Sequence, residues 1–291
     1  MSNRICLITG ATSGIGKATA IELAKRNFAL ILIGRNQNKC KDITERIQRK
    51  NNQIKVKYYV ADISLVSSVK KVCEEISKDF NRIDVIINNA GARFLEHQLT
   101  SEGIELTLAT NHLGHFVLTN ELLPLLKNSD DARIINISSA AHGGGKGLIE
   151  NITDPSKYDG RLQYSNSKLA NVLFTYELTE RLKEQNISIF SVDPGGVATN
   201  FARNNGIKLW IKHLGYYLLK RQLISAKKAS ETIVYLASSP DVKGQTGKYY
   251  FDMKEKKSSE LSYDKTLQRK LWEMSEELVR MLKVYETDKS V

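Results

Sequence analysis

The chain has 291 residues, 41% of them hydrophobic, and no Gly/Ser- or Pro-rich linker divides it, which is long for one domain yet within the range of a single α/β unit. A formal net charge of +11 comes with no nucleic-acid-binding motif and no aromatic platform inside a basic run, so nucleic acid is excluded as a partner. No apolar run is long enough to span a bilayer and no N-terminal hydrophobic signal is present, so a cytoplasmic location is expected.

In chain order, residues 4–9 read as a short buried parallel strand. Gly10-Ala11-Thr12-Ser13-Gly14-Ile15-Gly16 follows at once, and residues 17–25 read as a helix with Ala18, Ile21, Leu23 and Ala24 on or near one face. Strand, glycine-rich turn and helix are what a dinucleotide pyrophosphate requires: small residues let the backbone approach, and the helix N-terminus offers unpaired N–H groups. The second strand, Leu30 to Ile33, runs into Gly34-Arg35-Asn36, about twenty residues after the glycines, where the adenosine ribose is expected. An acidic residue there would hold the ribose 2′-OH and repel a 2′-phosphate. Arg35 instead offers a planar donor fork to a phosphate, and Lys17 adds charge nearby, so NADP(H) is favoured over NAD.

A third strand, residues 55–60, leads to Asp62 and Ile63, and a fourth, 84–87, to Asn88-Asn89-Ala90-Gly91. The helical run 103–126 holds Asn111, with His112 and His115 on one face; no third ligand is suggested nearby, which points to a supporting role behind the site residues or to packing rather than metal. A fifth strand, 133–137, ends in Ser138-Ser139. Tyr164 and Lys168 then stand at i and i+4 on one helical face. A fixed ammonium beside a phenol favours the phenolate, lowering a pKa that is about 10 when unperturbed. Such a phenol can exchange a proton near neutral pH, as carbonyl reduction or alcohol oxidation requires. The sixth strand starts at Ile187 and ends at Pro194-Gly195, and the seventh starts at Lys248. The alternation predicts one doubly wound, Rossmann-type, seven-stranded parallel sheet flanked by helices in a single domain. Three cysteines, Cys6, Cys40 and Cys73, form neither a disulfide framework nor a metal motif.

These motifs, in this order, resemble the short-chain dehydrogenase/reductase family over about residues 3–252. The resemblance rests on the T-G-x-x-x-G-x-G turn from Thr9 to Gly16, Asp62, the N-N-A-G turn at 88–91, Asn111, Ser139, Tyr164 with Lys168, and Pro194-Gly195. It implies that Tyr164 is the general acid in reduction and the base in oxidation, and that Lys168 depresses its pKa and holds the ribose hydroxyls. Ser139 would hydrogen-bond the substrate carbonyl, and Asn111 would seat a water in a proton relay to Lys168. The implied cofactor contacts begin with Gly10, Thr12, Ser13, Gly14, Ile15 and Gly16 in the first turn, then Arg35 and Asn36, and Asp62 with Ile63 at the adenine. Asn89, Ala90 and Gly91 would lie beneath the cofactor, with Tyr164 and Lys168, while Pro194, Gly195, Val197 and Thr199 would reach the nicotinamide amide and phosphates. No metal is implied.

The stretch between Ser139 and Tyr164 is longer than in most members and is expected to be a flexible flap. With Asn111-His112-Leu113-Gly114-His115-Phe116 and Ser167-Lys168-Leu169-Ala170-Asn171, it resembles the retinol dehydrogenase branch, which reduces retinaldehyde and other apolar aldehydes, mostly with NADPH. Residues 201–230 hold seven basic residues and no acidic one, with Trp210 and other apolar residues gathered on one side. They admit three readings: a lid on the site mouth, peripheral contact with anionic lipid, or an oligomer contact. Residues 1–252 are expected to form the dinucleotide-binding catalytic domain, with a substrate lid at about 200–225, and residues 253–291 a C-terminal helical extension packed on it. Residues 254–257 read as a solvated loop and 261–284 as an amphipathic helix suited to core docking or subunit contact. Homodimer and monomer both stay open. Two functions of different class compete: a carbonyl or alcohol oxidoreductase, and a non-catalytic NADP(H)-binding regulatory or scaffold protein. Asn111, Ser139, Tyr164 and Lys168 are all present, which favours the enzyme.

Overall fold

Strand runs of Ile, Leu and Val with no polar alternation demand cover on both faces, and they receive it. A computed structural model describes residues 3–197 and 223–288, with side chains as far as Leu282. In β1 (Ile5–Thr9), Cys6 and Ile8 point into one apolar layer and Leu7 into the other. The same division holds in β2 (Ala29–Gly34), where Leu30 and Leu32 oppose Ile31 and Ile33. The remaining strands are β3 (Val56–Val60), β4 (Val85–Asn88), β5 (Ala132–Ile137), β6 (Ile187–Asp193), β7 (Lys248–Phe251) and β8 (Lys254–Lys256). They pair in the order β3-β2-β1-β4-β5-β6-β7-β8, parallel throughout except for the last pair.

The described sheet therefore has eight strands, not the seven expected from the sequence. Asp252 and Met253 both take positive φ, 50° and 58°, in the two-residue hairpin geometry that matches strand twist. This returns Lys254, Glu255 and Lys256 antiparallel to β7. The strand was illegible because its three residues are all exposed and carry no apolar alternation. Backbone pairing and the 2.7 Å Lys248–Glu255 ion pair hold it, and its charges blunt the sheet edge.

The helices are α1 (Gly14–Ala24), α2 (Gln37–Lys50), α3 (Val66–Asp79), the single turn α4 (Leu106–Leu108), α5 (Gly114–Lys127), α6 (Gly160–Arg181), α7 (Ala226–Ser238) and α8 (Lys265–Asp288). Buried residues of α1, α2 and α7 cover one face of the sheet, and those of α3, α5 and α6 the other. Arg133 of β5, 1% exposed, pairs with Asp131 at 2.7 Å and donates to Leu236 O and Ser239 O at 2.7 and 2.8 Å. A buried guanidinium is tolerated there because it satisfies the carbonyls at the C-terminus of α7.

The last helix begins at Lys265, after a 3-10 turn at Glu260–Tyr263, and packs on the α5/α6 side of the core. Trp272 packs at 4.9 Å from Phe116 and 6.0 Å from Phe174, with the Arg181 guanidinium 4.2 Å over its ring. Ser275 Oγ donates to Leu271 O at 2.7 Å, so His112 Nε2–H is the donor in the 2.8 Å contact with Ser275 Oγ. Burial pushes the His112 pKa down to about 3, so the ring is neutral. An unfolded histidine titrates near pH 6.5, roughly, and the folded one only near 3; stability is complete above the first value and lost on acidification toward the second. Acidification from about pH 7 to about pH 5 should cost the wild type roughly 2 kcal/mol through this group. His112→Leu should show a correspondingly shallower loss in urea unfolding at the two pH values, and equal losses would contradict a neutral buried ring.

Candidate active site

Strand order reverses between β1 and β4, so their carboxyl ends flank the crevice where open α/β sheets take ligands. Gly10 (φ 66°) and Gly14 (φ 52°) occupy the left-handed region that the turn after β1 requires. A Cβ on Gly16 would overlap Gly10 O and come within 2.5 Å of Asn89 Nδ2, so only glycine lets α1 start this close to the β4 turn. Ser13 precedes α1 without a side-chain capping bond, leaving the helix N-terminus open to an anion.

One hydroxyl joins the two turns. Thr9 Oγ1 accepts the backbone N–H groups of Asn89 and Ala90, both at 2.9 Å, while Asn89 Nδ2 donates to Thr9 O at 2.8 Å. The same hydroxyl lies 3.0 Å from His115 Nε2, and His115 Nδ1 lies 3.3 Å from Asn111 O. Burial lowers the His115 pKa to about 4, so a neutral imidazole links the β1 turn to the backbone at Asn111. The sequence points to a supporting or packing role for His112 and His115 rather than metal, and the two divide it: His112 packs, while His115 bridges these two turns.

Asn111 sits in a π-turn, Ala109–Leu113, between α4 and α5. Its Oδ1 accepts Ala92 N at 2.8 Å, and its Nδ2 donates to Ala92 O at 2.8 Å and Ser167 Oγ at 2.9 Å. The side chain thereby locks the segment after β4 onto α6. Gly91 lies between them, where a Cβ would be 3.3 Å from Asn111 Oδ1 and 3.5 Å from Lys168 Nζ. Lys168 is 4% exposed and donates to Ile137 O at 3.1 Å. Burial lowers its pKa to about 8, opposed by the nearby Asp193 carboxylate, so the ammonium persists at neutral pH. Its Nζ is 5.8 Å from the ring centroid of half-buried Tyr164, one turn before it on α6. The two serines after β5 differ in use. Ser138 is buried and donates to Lys168 O at 2.7 Å, whereas half-buried Ser139 only accepts Ala141 N at 3.2 Å among the described residues and keeps its hydrogen for another acceptor.

The remaining residues lie along the same sheet edge. Arg35 follows β2, with Nη1 3.9 Å from Asp62 Oδ2, and Asn36 caps α2 by accepting Lys39 N at 3.0 Å. Asp62 Oδ1 accepts Ser64 N and Ser64 Oγ, while Ile63 is turned toward α5, where Gly114 has no Cβ to obstruct it. Pro194, Gly195 (φ 82°) and Val197 follow β6; Val197 bridges Ile224. Thr199 and most of both the lid at about 200–225 and the basic segment 201–230 lie outside the described residues.

A polar groove of about 380 Å³ beside Thr12 is lined by Lys17, Lys39, Arg46 and Arg49 with Asp42 and Glu45; the α2 cations at this spacing were not singled out in the sequence. A larger groove of about 470 Å³, between α1 and α7, contains none of these residues and is remote from Tyr164 in the fold. No cluster of metal-ligating side chains occurs among the described residues, and no described helix is long and apolar enough to cross a membrane.

The stretch expected as a flexible flap is fastened down. Gln163 Nε2 donates to Glu150 O at 2.9 Å, Lys146 N to Asn166 Oδ1 at 2.8 Å, and Ile149 is buried. Glu105, fully buried, caps α4 by accepting Thr107 N and Leu108 N, and also takes Tyr158 Oη and Gln163 Nε2, each at 3.1 Å. A carboxylate with four donors needs no counter-cation to be buried.

Residues 4–209 match the family described as short chain dehydrogenase. The chain is 36% identical to retinol dehydrogenase 14 of Mus musculus, in an alignment covering 97% of this chain and 88% of that protein. It is 37% identical to short-chain dehydrogenase TIC 32 B, chloroplastic, of Brassica napus, covering 95% and 88%. A crystal structure of an uncharacterized protein from Mycobacterium Paratuberculosis superposes with a TM-score of 0.74 at 30% identity, over 96% of this chain and 94% of that one.

Thr9→Val keeps the shape of the residue but leaves two amides and an imidazole without their partner. It should cost roughly 1–3 kcal/mol for each group left unsatisfied, read as a lower urea midpoint. An unchanged midpoint would mean that the hydroxyl does not hold the two turns together.

Proposed function

The chain belongs to the short-chain dehydrogenase family and resembles its retinol dehydrogenases, and on that premise we propose that it is an NADP(H)-dependent oxidoreductase acting on an aldehyde, ketone or alcohol of apolar, retinal-like character. What carries this reading is the meeting, at one sheet edge, of the Lys168 ammonium, the Tyr164 ring 5.8 Å from it, and the uncapped start of α1. The glycine cradle and that helix start fit a pyrophosphate, and Gly91, with no side chain beside Lys168 Nζ, fits a flat ligand lying over the β4 turn. NADP(H) would be held by Gly10, Thr12, Ser13, Gly14, Ile15 and Gly16, by Arg35 and Asn36 at the ribose, and by Asp62 and Ile63 at the adenine. Asn89, Ala90, Gly91, Tyr164, Lys168, Pro194, Gly195, Val197 and Thr199 would complete the site. When bound, the nicotinamide supplies or accepts the hydride.

The chain's own residues supply position and charge. Ser139 donates its hydroxyl hydrogen to the substrate carbonyl, polarising it and fixing its approach. Tyr164 gives its proton to the forming alkoxide in reduction and takes one from the alcohol in oxidation. The Lys168 ammonium stabilises the phenolate left on Tyr164, an effect strengthened by burial. Asn111 acts through its backbone at the π-turn, where a water seated on the carbonyl can pass protons to Lys168. Arg35, 72% exposed in its side chain and only distantly paired with Asp62, is available to a 2′-phosphate, which supports NADP(H) over NAD.

We place residues 1–252 in the catalytic domain, with the lid at about 200–225; of residues 253–291, β8 adds to the edge of its sheet and the remainder forms a helical extension on it. The proposed location is cytoplasmic, as a homodimer or a monomer, and the basic segment 201–230 is the candidate for peripheral membrane contact. A non-catalytic role gains no specific support, since Asn111, Ser139, Tyr164 and Lys168 are all present.

The test is cofactor oxidation at a panel of carbonyls from short polar aldehydes to retinaldehyde, with NADPH and NADH in parallel. Turnover should concentrate on the lipophilic aldehydes with NADPH, and silence in both reaction directions would overturn the enzyme reading. Tyr164→Phe should lower kcat by at least about 100-fold while NADPH binding, followed by fluorescence titration, is retained. Arg35→Asp should move the NADPH/NADH preference toward NADH by roughly tenfold or more, and an unchanged ratio would remove Arg35 as the phosphate reader.

A further inference from the structure

His142 lies three residues past Ser139, in the 3-10 turn Ala140–Gly144, and is 6% exposed. Its Nε2 accepts the backbone N–H of Ser259 at 3.0 Å. A backbone amide can only donate, so Nε2 carries no proton and the proton of the neutral ring sits on Nδ1. From there it is donated to Ser139 O at 2.7 Å, and the backbone N–H of His142 donates to the same oxygen at 3.0 Å. One residue thus occupies both lone pairs of the Ser139 carbonyl. Fixing that peptide fixes ψ of Ser139 at 158° in the extended backbone (φ −171°) from which its hydroxyl projects. Tyr249 packs against the imidazole with ring centroids 4.9 Å apart.

The other end of this contact is anchored as well. Ser258 Oγ bonds Tyr176 Oη at 2.7 Å and Ser262 Oγ at 2.6 Å, and the Tyr263 ring stacks on Tyr176 at 5.3 Å. Tyr176 stands on α6, about three turns beyond Tyr164 on the same helix. A closed path therefore runs from the end of β5 through His142, the 258–263 segment and Tyr176 to the helix that carries Tyr164 and Lys168. It passes through residues beyond the family's matched span of 4–209.

We propose that His142 is a positioning residue: a neutral imidazole, protonated on Nδ1, through which the C-terminal segment 258–263 holds the Ser139 hydroxyl in register with Tyr164 and Lys168. The proposal rests on Ser139 as the group that binds the substrate carbonyl. The C-terminal segment is then part of the frame of the site, and a change in it is felt at the carbonyl-binding hydroxyl and not at the nucleotide.

The experiment compares His142→Leu, His142→Asn and Ser259→Pro with the wild type, using NADPH and retinaldehyde. His142→Leu removes both hydrogen bonds and should lower kcat roughly 10- to 100-fold with the KM for NADPH unchanged. His142→Asn keeps a side-chain N–H that can reach Ser139 O and should retain most of kcat. Ser259 already has φ −63°, close to the proline value, and its hydroxyl makes no hydrogen bond among the described residues, so the one bond that Ser259→Pro deletes is that of the N–H, and the change should lower kcat roughly fivefold. Full kcat in His142→Leu, or equal losses in the Leu and Asn variants, overturns the proposal. Ser139→Ala separates it from its premise: if that variant keeps full activity, the Ser139 reading fails, whereas loss there with full activity in His142→Leu sinks this proposal alone. A readout independent of turnover is 15N NMR of the histidine rings in the full chain, assigned with His142→Asn. A proton on Nδ1 is expected, and one on Nε2 overturns the assignment.

Discussion

The hydroxyl of Thr9 is the joint on which the site depends. A parallel sheet leaves the turns at its carboxyl edge without backbone partners from neighbouring strands, so side chains must fasten them. Thr9 does this by taking the amides of Asn89 and Ala90 while the Asn89 side chain returns a bond to Thr9 O. The two turns then stand so close that Gly16 has no room for a Cβ. Three parts of the crevice are referenced to this joint: α1 through Gly16, the 89–90 backbone through the Thr9 hydroxyl itself, and the π-turn through His115.

Charge is handled in this site by burial against fixed dipoles rather than by pairing. Lys168 is nearly inaccessible, and it donates to a carbonyl, Ile137 O. The cost of that burial appears as a pKa near 8, and the Asp193 carboxylate keeps it from falling further. A lysine so placed holds its proton at neutral pH, yet it is poised to exchange one, which a surface lysine at its ordinary value is not. The same economy of charge recurs at Glu105, whose carboxylate is buried on helix amides, a tyrosine and an amide side chain.

Histidines serve as neutral connectors. Burial holds His112 and His115 far below the ordinary imidazole range, which makes each a fixed donor–acceptor pair rather than a charge. His115 spans β1 and the π-turn, and His112 reaches α8 through Ser275. With His142 and Ser259, these contacts bring the C-terminal segment, outside the matched family span, into the frame around Asn111 and Ser139. The helix beyond Lys265 is correspondingly seated by aromatic packing, with Trp272 between Phe116, Phe174 and Arg181.

What the sequence determined by itself is whatever a short stretch of chain encodes. The glycine turn after β1, the apolar strand runs, the i and i+4 placement of Tyr164 and Lys168, and Arg35 after β2 are each set within a stretch of about seven residues. The seven parallel strands and the crevice at their carboxyl ends followed from that local pattern, whereas Ser139 was preferred to Ser138 only through the family resemblance, and it is the fold that spends the Ser138 hydroxyl on Lys168 O. Tertiary structure decided the rest. The eighth strand depends on two non-glycine residues at positive φ, with neither Asn-Gly nor an apolar alternation to announce them. The segment expected as a flap is fastened by Gln163, Asn166 and Glu105, side chains that look like ordinary helix polar residues until the fold brings their acceptors close. Thr9 meets Asn89 across 80 residues and Ser259 meets His142 across 117, and a hydrogen bond leaves no periodicity in the sequence at such separations. Periodicity reports which face of an element is buried; only the assembled fold determines which donor meets which acceptor once it is.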